Sequence, residues 1–296
     1  MQIFGDWGTT RLRLFRGAGE RCDRREGPGI GHLDGKAPTE ALIAALGPWQ
    51  TDARRHGLFL SGMASARGGL VELPYLPCPV SAGPWRDAAA AVEIDGIALR
   101  MARGLCATNL AGRPDVMRGE ETQIFGALAQ DPELACGQAI IVLPGTHSKW
   151  TEVNDGEIRR FHSFPTGELF AMLRDHSTLS APSTAAPDPE GFAAGIAMAP
   201  DGLLASLFQA RAAQLVRGQS TAWSAAFLSG LLIASEFREA LALLDERPRR
   251  LLLIGAPALV ALYRQVAQSQ KLAPEALDGD ACVRAGLQLI AGQVDR

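Results

Sequence analysis

One structural plan occurs twice in this chain of 296 residues. Residues 2–27 have the pattern of an apolar strand, a glycine/hydroxyl turn, an alternating strand, a second turn and a third strand. Residues 139–164 follow the same order, and their second turn has the sequence NDG, which is typical of a β-hairpin. Identity between the two stretches is slight, so the match is one of plan. Because repeated supersecondary units decide a fold, we expect an α/β protein with two related three-stranded units.

Apolar periodicity predicts the remaining elements. A strand is expected at 57–63, and a strand, a glycine turn and a helix at 249–268. The stretch 66–86 is rich in glycine and proline and should be a long connection with short strands. The predicted helices cover 39–55, 167–176, 191–217, 221–244, 279–293 and the sequence GEETQIFGALA. We place a domain boundary before the GEETQIFGALA helix, which predicts domains at 1–115 and 116–296.

Composition excludes several classes of protein. A hydrophobic content of 47% and a charged content of 21% are ordinary for a globular protein, and the length suggests about two domains. The formal net charge of −3 gives no reason to expect nucleic acid or a membrane surface as a partner. The sequence does not determine the oligomeric state, and a homodimer is compatible with it.

The cysteines and the apolar runs indicate the compartment. The five cysteines have no CxxC or zinc-type spacing, so we expect free thiols in a reducing cytoplasm. No signal-peptide pattern opens the chain, and its apolar runs fall far short of the ~18–20 residues that span a bilayer. We therefore expect a soluble cytoplasmic protein.

The first turn has the sequence Asp6-Trp7-Gly8-Thr9-Thr10. A glycine turn lets backbone N–H groups approach an anion, and the two threonines add hydroxyl donors. Asp6 could hold a hydrated Mg²⁺, which prefers one or two carboxylates together with waters and phosphate oxygens. The same short pattern also suits a plain hairpin turn.

The second turn, in LPGTHSKW, occupies the equivalent position of the second unit. Gly145, Thr146 and Ser148 could bind phosphate oxygens, and Lys149 could add positive charge. His147, taken alone, is more typical of a surface histidine than of a catalytic base. Two matched Gly-Thr turns on two matched hairpins suit a nucleoside triphosphate clamped between two related domains.

Two further motifs carry possible chemistry. The first motif, MRGEETQ, contains Glu120 and Glu121, which are either exposed acids at a helix start or candidates for a base that accepts a hydroxyl proton. In the second case, Arg118 could pair with a substrate carboxylate. Gly255 and Ala256 follow an apolar strand and leave room for a flat ring, although a routine β–α turn has the same pattern. Neither a P-loop nor a GxGxxG motif occurs, which argues against those two nucleotide-binding folds.

The order of these motifs resembles the sugar-kinase/actin/Hsp70 superfamily. That resemblance implies two ribonuclease-H-like (actin-like ATPase) domains, with mixed sheets flanked by helices and an ATP cleft between them. The N-terminal domain would carry the first phosphate motif and the sugar side, and the C-terminal domain the second phosphate and adenosine motifs. Residues 6–10 and 145–149 look like the two phosphate motifs, residues 119–122 like the catalytic stretch, and residues 255–257 like the adenosine motif.

Within that group, the whole chain resembles the 2-dehydro-3-deoxygalactonokinase family. The matching stretches are DWGTTRLR, VMRGEETQIFGAL, LPGTHSKW, TGELF and FLSGLLIASE. The implied reaction is the ATP-dependent phosphorylation of 2-dehydro-3-deoxy-D-galactonate to its 6-phosphate in galactonate breakdown. The chain departs from the wider superfamily at Pro144, where an acid is frequent, and in carrying glutamates where sugar kinases usually have an aspartate.

The resemblance implies a role for each group. ATP and Mg²⁺ are the cofactors, and a sugar acid is the small-molecule substrate. Asp6 would orient the metal, and Glu121, or else Glu120, would accept the hydroxyl proton. The expected phosphate ligands are Gly8, Thr9, Thr10, Gly145, Thr146, Ser148 and Lys149, and the expected adenosine contacts are Gly255 and Ala256. Arg118, with Arg11 and Arg67 behind it, would bind the substrate carboxylate.

Three alternatives stay open at this point. The chain could phosphorylate another sugar or keto-deoxy sugar acid, because motifs do not specify hydroxyl stereochemistry. It could be a non-catalytic ATP-binding regulator of the actin/Hsp70 type. A ribonuclease-H-type nucleic-acid binder is disfavoured, because two-metal sites need clustered acids and the sequence places none close to Asp6.

Overall fold

The computed structural model describes residues 1–17, 22–181, 186 and 188–292. The strands in these ranges are β1 (Ile3–Trp7), β2 (Arg11–Arg16), β3 (Asp23–Pro28), β4 (Leu58–Gly62), β5 (Leu76–Pro77), β6 (Val80–Ser81), β7 (Ala90–Ile94), β8 (Ile97–Met101), β9 (Leu105–Thr108), β10 (Pro114–Met117), β11 (Gln138–Leu143), β12 (Ser148–Asn154), β13 (Glu157–Phe164), β14 (Leu251–Gly255) and β15 (Glu275–Asp278). The helices are α1 (Pro38–Leu46), α2 (Gln50–His56), α3 (Ala82–Asp87), α4 (Glu120–Gln130), α5 (Thr166–His176), α6 (Pro189–Met198), α7 (Leu203–Leu207), α8 (Gln209–Arg217), α9 (Thr221–Leu243), α10 (Pro257–Ser269) and α11 (Gly279–Ala291).

The first three-stranded unit forms part of a six-stranded mixed sheet. Its order is β3-β2-β1-β4-β8-β7, in which β1 pairs antiparallel with β2 and parallel with β4. Strand β2 alternates buried Leu12 and Leu14 with more exposed residues, as its period-two sequence predicts. Trp7 is fully buried in the core beneath the first turn, and its Nε1 donates to the Pro28 carbonyl at 3.0 Å.

The second three-stranded unit lies in another six-stranded sheet, of order β15-β14-β11-β12-β13-β6. Strand β11 pairs parallel with β14, with Ile140 opposite Leu251. Asp155 and Gly156 have φ values of 48° and 75° between β12 and β13, which is the left-handed geometry expected of the predicted hairpin turn. The repeated plan is therefore confirmed, and with it the mixed α/β class. A small sheet has the order β10-β9-β5.

The chain as a whole divides into two compact units, which differ from the three-stranded units and are called the first and the second unit below. The first unit comprises Met1–Ala139, Thr151–Phe161 and Leu277–Arg296, and the second comprises Ile140–Trp150 and His162–Ala276. The chain thus enters the second unit twice and returns to the first. The predicted domain boundary between residues 115 and 116 stays a prediction.

Two predicted long helices are wrong as single elements. The helix expected at 39–55 is divided into α1 and α2 by a 3₁₀ turn at Gly47–Trp49, where proline follows a glycine with φ of 49°. The helix expected at 191–217 is divided into α6, α7 and α8. Pro200 and Gly202 separate α6 from α7, and Phe208 lies between α7 and α8. Strands β7 to β10 were not predicted, although alternating burial in β8 follows an apolar alternation in its sequence.

Among the described residues, no helix combines the length and the apolar character that a membrane crossing requires.

Candidate active site

The first turn is held from behind by the chain that follows β3. The carbonyls of Gly8 and Thr9 accept hydrogen bonds from the N–H groups of Ile30 and Gly31 at 3.1 and 2.9 Å. The side chains of Thr9 and Thr10 are exposed. The turn therefore presents its hydroxyls to solvent while its carbonyls are bound inside the protein.

Gly29 is the point of closest approach to this turn. A Cβ atom at Gly29 would lie 2.2 Å from the Thr9 carbonyl oxygen, a distance that real Cβ atoms do not show. Any other residue here would displace the turn.

Asp6 lies at the end of β1 and is almost completely buried, with 8% of its surface exposed. Its carboxylate forms an ion pair with Arg13 and accepts a hydrogen bond from Ser61 Oγ at 3.3 Å. Arg13 also pairs with Asp280, which in turn pairs with Arg24 at 2.6 Å. Burial alone would lower the pKa of Arg13, but Asp6 and Asp280 raise it above its ordinary value, so the guanidinium stays charged.

Asp6 therefore has an acidic neighbour that the sequence did not reveal. Asp280 is 267 residues from Arg13 in the sequence, and no local pattern links the two. The two carboxylates share Arg13 as an ion-pair partner. Within the described ranges, no three His, Cys, Asp or Glu side chains are grouped so that they could hold a metal ion.

The start of α4 packs against Asp6. Gly119 precedes the helix with φ of 112°, and a Cβ there would lie 3.2 Å from Gly62 Cα and 3.7 Å from Asp6 Oδ1. The first unit thus brings together the carboxylate of the first turn and the two acids, Glu120 and Glu121, that open α4.

Glu121 is completely buried, and both of its carboxylate oxygens are bound. Oε2 accepts from the Gly119 N–H at 2.6 Å, and Oε1 accepts from Thr122 Oγ1 at 3.1 Å. Burial, reinforced by the charge of Glu120, raises the pKa of Glu121 to about 8, although these hydrogen bonds oppose the shift. Glu120 is half-buried, and its Oε2 accepts from the Arg118 N–H at 3.0 Å. Of the two acids, only Glu120 has surface available to a ligand.

Arg118 holds a neighbouring segment of its own unit. Its guanidinium donates to Ser65 Oγ at 2.7 Å and to the Leu73 carbonyl at 3.0 Å, and it lies 4.2 Å from the centre of the Tyr75 ring. Arg67 lies within the segment that these bonds hold, and its side chain is exposed.

Arg11 is also exposed at the start of β2, 3.9 Å from Glu26. The structure thus places the three predicted arginines in one unit but in different environments.

The second turn exposes some of the predicted residues and buries others. Thr146 and His147 are exposed, and His147 Nε2 lies 3.0 Å from Glu168 Oε2. Ser148 is fully buried, and its hydroxyl donates to Glu236 at 2.7 Å.

Lys149 is also buried, and its Nζ donates to Ser163 Oγ at 2.7 Å. The accessible part of this turn therefore comprises residues 144–147. Thr146 and His147 are exposed, and Pro144 and Gly145 are half-buried.

The N-terminus of α5 packs behind the second turn. The Glu168 N–H donates to the Thr146 carbonyl at 2.9 Å. A Cβ atom at Gly167 would lie 2.3 Å from the Gly145 carbonyl oxygen. Gly167 therefore has the same relation to the second turn as Gly29 has to the first.

The predicted adenosine residues lie beside this turn. Gly255 ends β14, which is parallel to β11, and a Cβ there would lie 3.6 Å from the Pro144 carbonyl oxygen. Ala256 is exposed. The carboxyl ends of neighbouring parallel strands are where α/β proteins commonly bind ligands.

A cavity of about 290 Å³ opens in the second unit next to this sheet edge. It is bordered mainly by apolar side chains of α5, α6, α9 and α10, and Gly145 of the second turn lines it as well. The polar residues at its wall include Thr166, Ser229 and Tyr263. An apolar cavity with a few polar groups is typical of a small-molecule site.

The architecture agrees with the resemblance that the sequence motifs carry. The fold has two three-stranded units, each with a Gly-Thr turn, in mixed sheets flanked by helices, as expected from the sugar-kinase and actin-like ATPases.

Comparison with known proteins identifies the family. The family model described as 2-keto-3-deoxy-galactonokinase matches residues 6–290. The relative from Rhizobium meliloti (strain 1021) named "Probable 2-dehydro-3-deoxygalactonokinase DgoK1" is 35% identical over 299 residues, covering 97% of this chain and 95% of the relative. The 2-dehydro-3-deoxygalactonokinase of Escherichia coli (strain K12) is 30% identical, covering 98% of this chain and 97% of the relative. The chain belongs to the 2-keto-3-deoxy-galactonokinase family, as the sequence motifs predicted.

A solved structure agrees with this assignment. The crystal structure of a protein from Sinorhizobium meliloti that bears the same kinase name superimposes with a TM-score of 0.85 at 34% identity, and 98% of each chain is covered. The family is one of kinases, so ATP and a small-molecule acceptor are its substrates.

Proposed function

We propose that this chain transfers the γ-phosphoryl group of ATP to the 6-hydroxyl of 2-dehydro-3-deoxy-D-galactonate, in the breakdown of D-galactonate in the cytoplasm. Family membership over residues 6–290 supports the activity. The observation that carries the mechanism is the packing of the α4 start against Asp6, which joins a phosphate turn to two acids in one unit. Phosphoryl transfer requires mainly positioning and charge neutralisation, and these groups can supply both.

Asp6 fits the role of magnesium carboxylate. Mg²⁺ in kinases is commonly held by one or two carboxylates together with waters and substrate phosphates, so a single buried carboxylate suffices. Arg13 pairs with the Asp6 carboxylate and restricts its position. When bound, Mg²⁺ would neutralise negative charge on the phosphates of ATP.

Glu120 is the better candidate for the base. A general base must contact the hydroxyl whose proton it accepts, and it must be ionised to do so. Glu121 has no exposed surface, and its pKa of about 8 leaves it mostly protonated at neutral pH. We therefore assign the base to Glu120 and the capping of the Gly119 turn to Glu121.

The two turns supply different phosphate ligands. In the first unit, Thr9 and Thr10 offer exposed hydroxyls. In the second unit, Gly145 and Thr146 offer the exposed part of the turn, whereas Ser148 and Lys149 are hydrogen-bonded inside the protein.

The adenosine moiety of ATP is assigned to the second unit. Gly255 and Ala256 stand beside the second turn, and the apolar cavity next to it can enclose a flat, largely apolar ring.

Arg67 is the better candidate for the carboxylate of the sugar acid. Arg118 is bound to Ser65, Leu73 and the Tyr75 ring, which makes it the anchor of the segment that carries Arg67. An exposed guanidinium can form a bidentate pair with a carboxylate, and a neutral sugar would not need it.

A coupled ADP-release assay with a panel of acceptors tests the proposal. We expect turnover with 2-dehydro-3-deoxy-D-galactonate, weaker turnover with its C4 epimer, and none above background with neutral hexoses. An Arg67→Ala variant should raise KM for the sugar acid about tenfold or more while leaving KM for ATP unchanged. Preference for a neutral sugar, or ATP binding without turnover of any acceptor, would contradict the proposed function.

A further inference from the structure

Glu236 is a buried acid within the apolar helix α9. It is 3% exposed and is the one charged residue among the buried residues of that helix, all of which the structure describes. A buried carboxylate is costly unless hydrogen bonds satisfy it, so its position calls for an explanation.

Side chains from several elements donate to this carboxylate. Oε1 accepts from Ser148 Oγ at 2.7 Å and from Trp150 Nε1 at 2.8 Å, and Oε2 accepts from Tyr263 Oη at 2.8 Å. Burial raises the pKa of Glu236, and hydrogen bonds from these donors and from Thr166 oppose the rise. The acid is thus satisfied on both oxygens.

The donors belong to the elements that surround the second turn. Ser148 and Trp150 are in β12, the strand that follows the turn, and Tyr263 is in α10, the helix that follows Gly255 and Ala256. Thr166 begins α5, whose Gly167 packs on the turn itself. One buried side chain therefore connects the second turn, α5 and α10, the helix that follows the proposed adenosine contacts.

We propose that Glu236 is a positioning residue for nucleotide binding, and this inference rests on the proposed function. Glu236 does not contact ATP, because it has almost no exposed surface. It holds β12, α5 and α10 in the arrangement that sets Gly145 and Thr146 beside Gly255 and beside the cavity that Thr166 and Tyr263 line. The chemical class of ligand is a purine nucleoside di- or triphosphate.

The conservative variant separates this role from a requirement for charge. In Glu236→Gln, the amide oxygen can accept from Ser148 and Trp150. The amide nitrogen can donate to the Tyr263 hydroxyl, so that Tyr263 accepts in the variant where it donates in the wild type. We expect Glu236→Gln to bind Mg·ADP within about threefold of the wild type. Glu236→Ala removes the acceptor of all these donors, and we expect at least about tenfold weaker Mg·ADP binding.

The experiment is calorimetric titration of Mg·ADP into both variants and the wild type, together with steady-state KM values for ATP and sugar acid. A positioning role for the nucleotide predicts that KM for ATP rises in Glu236→Ala while KM for the sugar acid changes less than twofold. Ser224→Ala is the matched control, because Ser224 is buried in the same helix but donates to the Ala210 carbonyl at 3.0 Å, away from the turn. It should leave Mg·ADP affinity unchanged even where it lowers the melting temperature.

The outcomes are distinguishable. Wild-type protein that neither binds Mg·ADP nor releases ADP would overturn the proposed function and this inference with it. Normal wild-type activity together with unchanged nucleotide affinity in folded Glu236→Ala would overturn the inference alone. If Glu236→Ala does not fold, Glu236→Asp is used instead. The shorter carboxylate should weaken Mg·ADP binding at least about threefold, and unchanged affinity in that variant would overturn the inference equally.

Discussion

The two Gly-Thr turns share one sequence plan but have different surroundings. In the first, the residue that begins β2 is exposed Arg11, and half-buried Arg13 lies between buried Leu12 and Leu14. In the second, the residue that begins β12 is fully buried Ser148, and the first four residues of the strand are all buried. Both faces of β12 are covered at this end, and the side chains of Ser148 and Lys149 bond to protein atoms.

The acids near the two turns also differ. The first turn has a carboxylate at the turn itself, Asp6, neutralised by Arg13. The second turn has apolar Leu143 where the first has Asp6, two residues before the Gly-Thr pair. Its carboxylate is instead the buried Glu236, which accepts hydrogen bonds from Ser148 and Tyr263. In the proposed mechanism, the first turn therefore supplies a charged group, whereas the second supplies backbone groups and the Thr146 hydroxyl, held in place by a buried acid.

The largest expected effect is that of Asp6→Asn. Removing the charge from the first turn should lower kcat/KM about 100-fold and raise the Mg²⁺ concentration needed for half-maximal activity. The measurement is a magnesium titration of the initial rate, with Asp23→Asn as control because Asp23 is an exposed acid of the same sheet. An unchanged magnesium dependence would show that Asp6 does not serve the metal.

A second effect concerns Glu121, the buried acid of the first unit. Its folded pKa of about 8 lies above the ordinary value of 4.5, so the native state holds the proton more tightly than the unfolded state. The associated stability is fully present below pH 4.5 and is lost as the pH rises through about 8. Between these limits, the wild type should lose a few kcal/mol (order of magnitude) of unfolding free energy relative to Glu121→Gln.

Denaturant unfolding of the two proteins at a series of pH values measures this difference. Curves that stay parallel from pH 4.5 to 8 would show that the pKa of Glu121 is not raised.

A pair of amide variants, one at each glutamate, tests which acid is the base. Glu120→Gln should remove most of kcat, whereas folded Glu121→Gln should keep it, and the reverse result would assign the base to Glu121.

Two glycines allow the turns to be disturbed separately. Gly29→Ala and Gly167→Ala each place a Cβ too close to a turn carbonyl, at 2.2 and 2.3 Å, and overpacking of this kind costs about 1–3 kcal/mol. Both variants should lower the unfolding free energy and raise KM for ATP. Gly83→Ala is the control, since no atom lies within 4 Å of its added Cβ and its backbone is not left-handed. Wild-type stability in both turn variants would contradict the close packing.

The smallest effect is expected from the exposed hydroxyls. Thr9→Val and Thr146→Val remove one donor from each turn without disturbing the core, so stability should stay within about 0.5 kcal/mol. Each should weaken ATP binding by the value of one hydrogen bond, about 0.5–1.5 kcal/mol, or a few-fold in Kd. An effect of Thr9→Val alone would mean that the second turn binds through its backbone only.

Local pattern determined a large part of this protein. The strand alternation, the glycine turns and the NDG hairpin specify the two three-stranded units, because these features depend on neighbouring residues. The first break in each of the two long helices was also readable, since Pro48 and Pro200 stand in the sequence near the ends of α1 and α6. A single charged residue in the otherwise uncharged run FLSGLLIASEF was a visible sign of Glu236.

Tertiary structure alone decided which charges meet. Asp280 reaches Arg13 across 267 residues, and Glu236 reaches Ser148 across 88, so no periodicity connects either pair. The choice between Glu120 and Glu121 likewise depends on which side chain α4 buries. Sequence specifies where strands and turns form because those are local properties, whereas burial and charge pairing depend on how distant elements pack together.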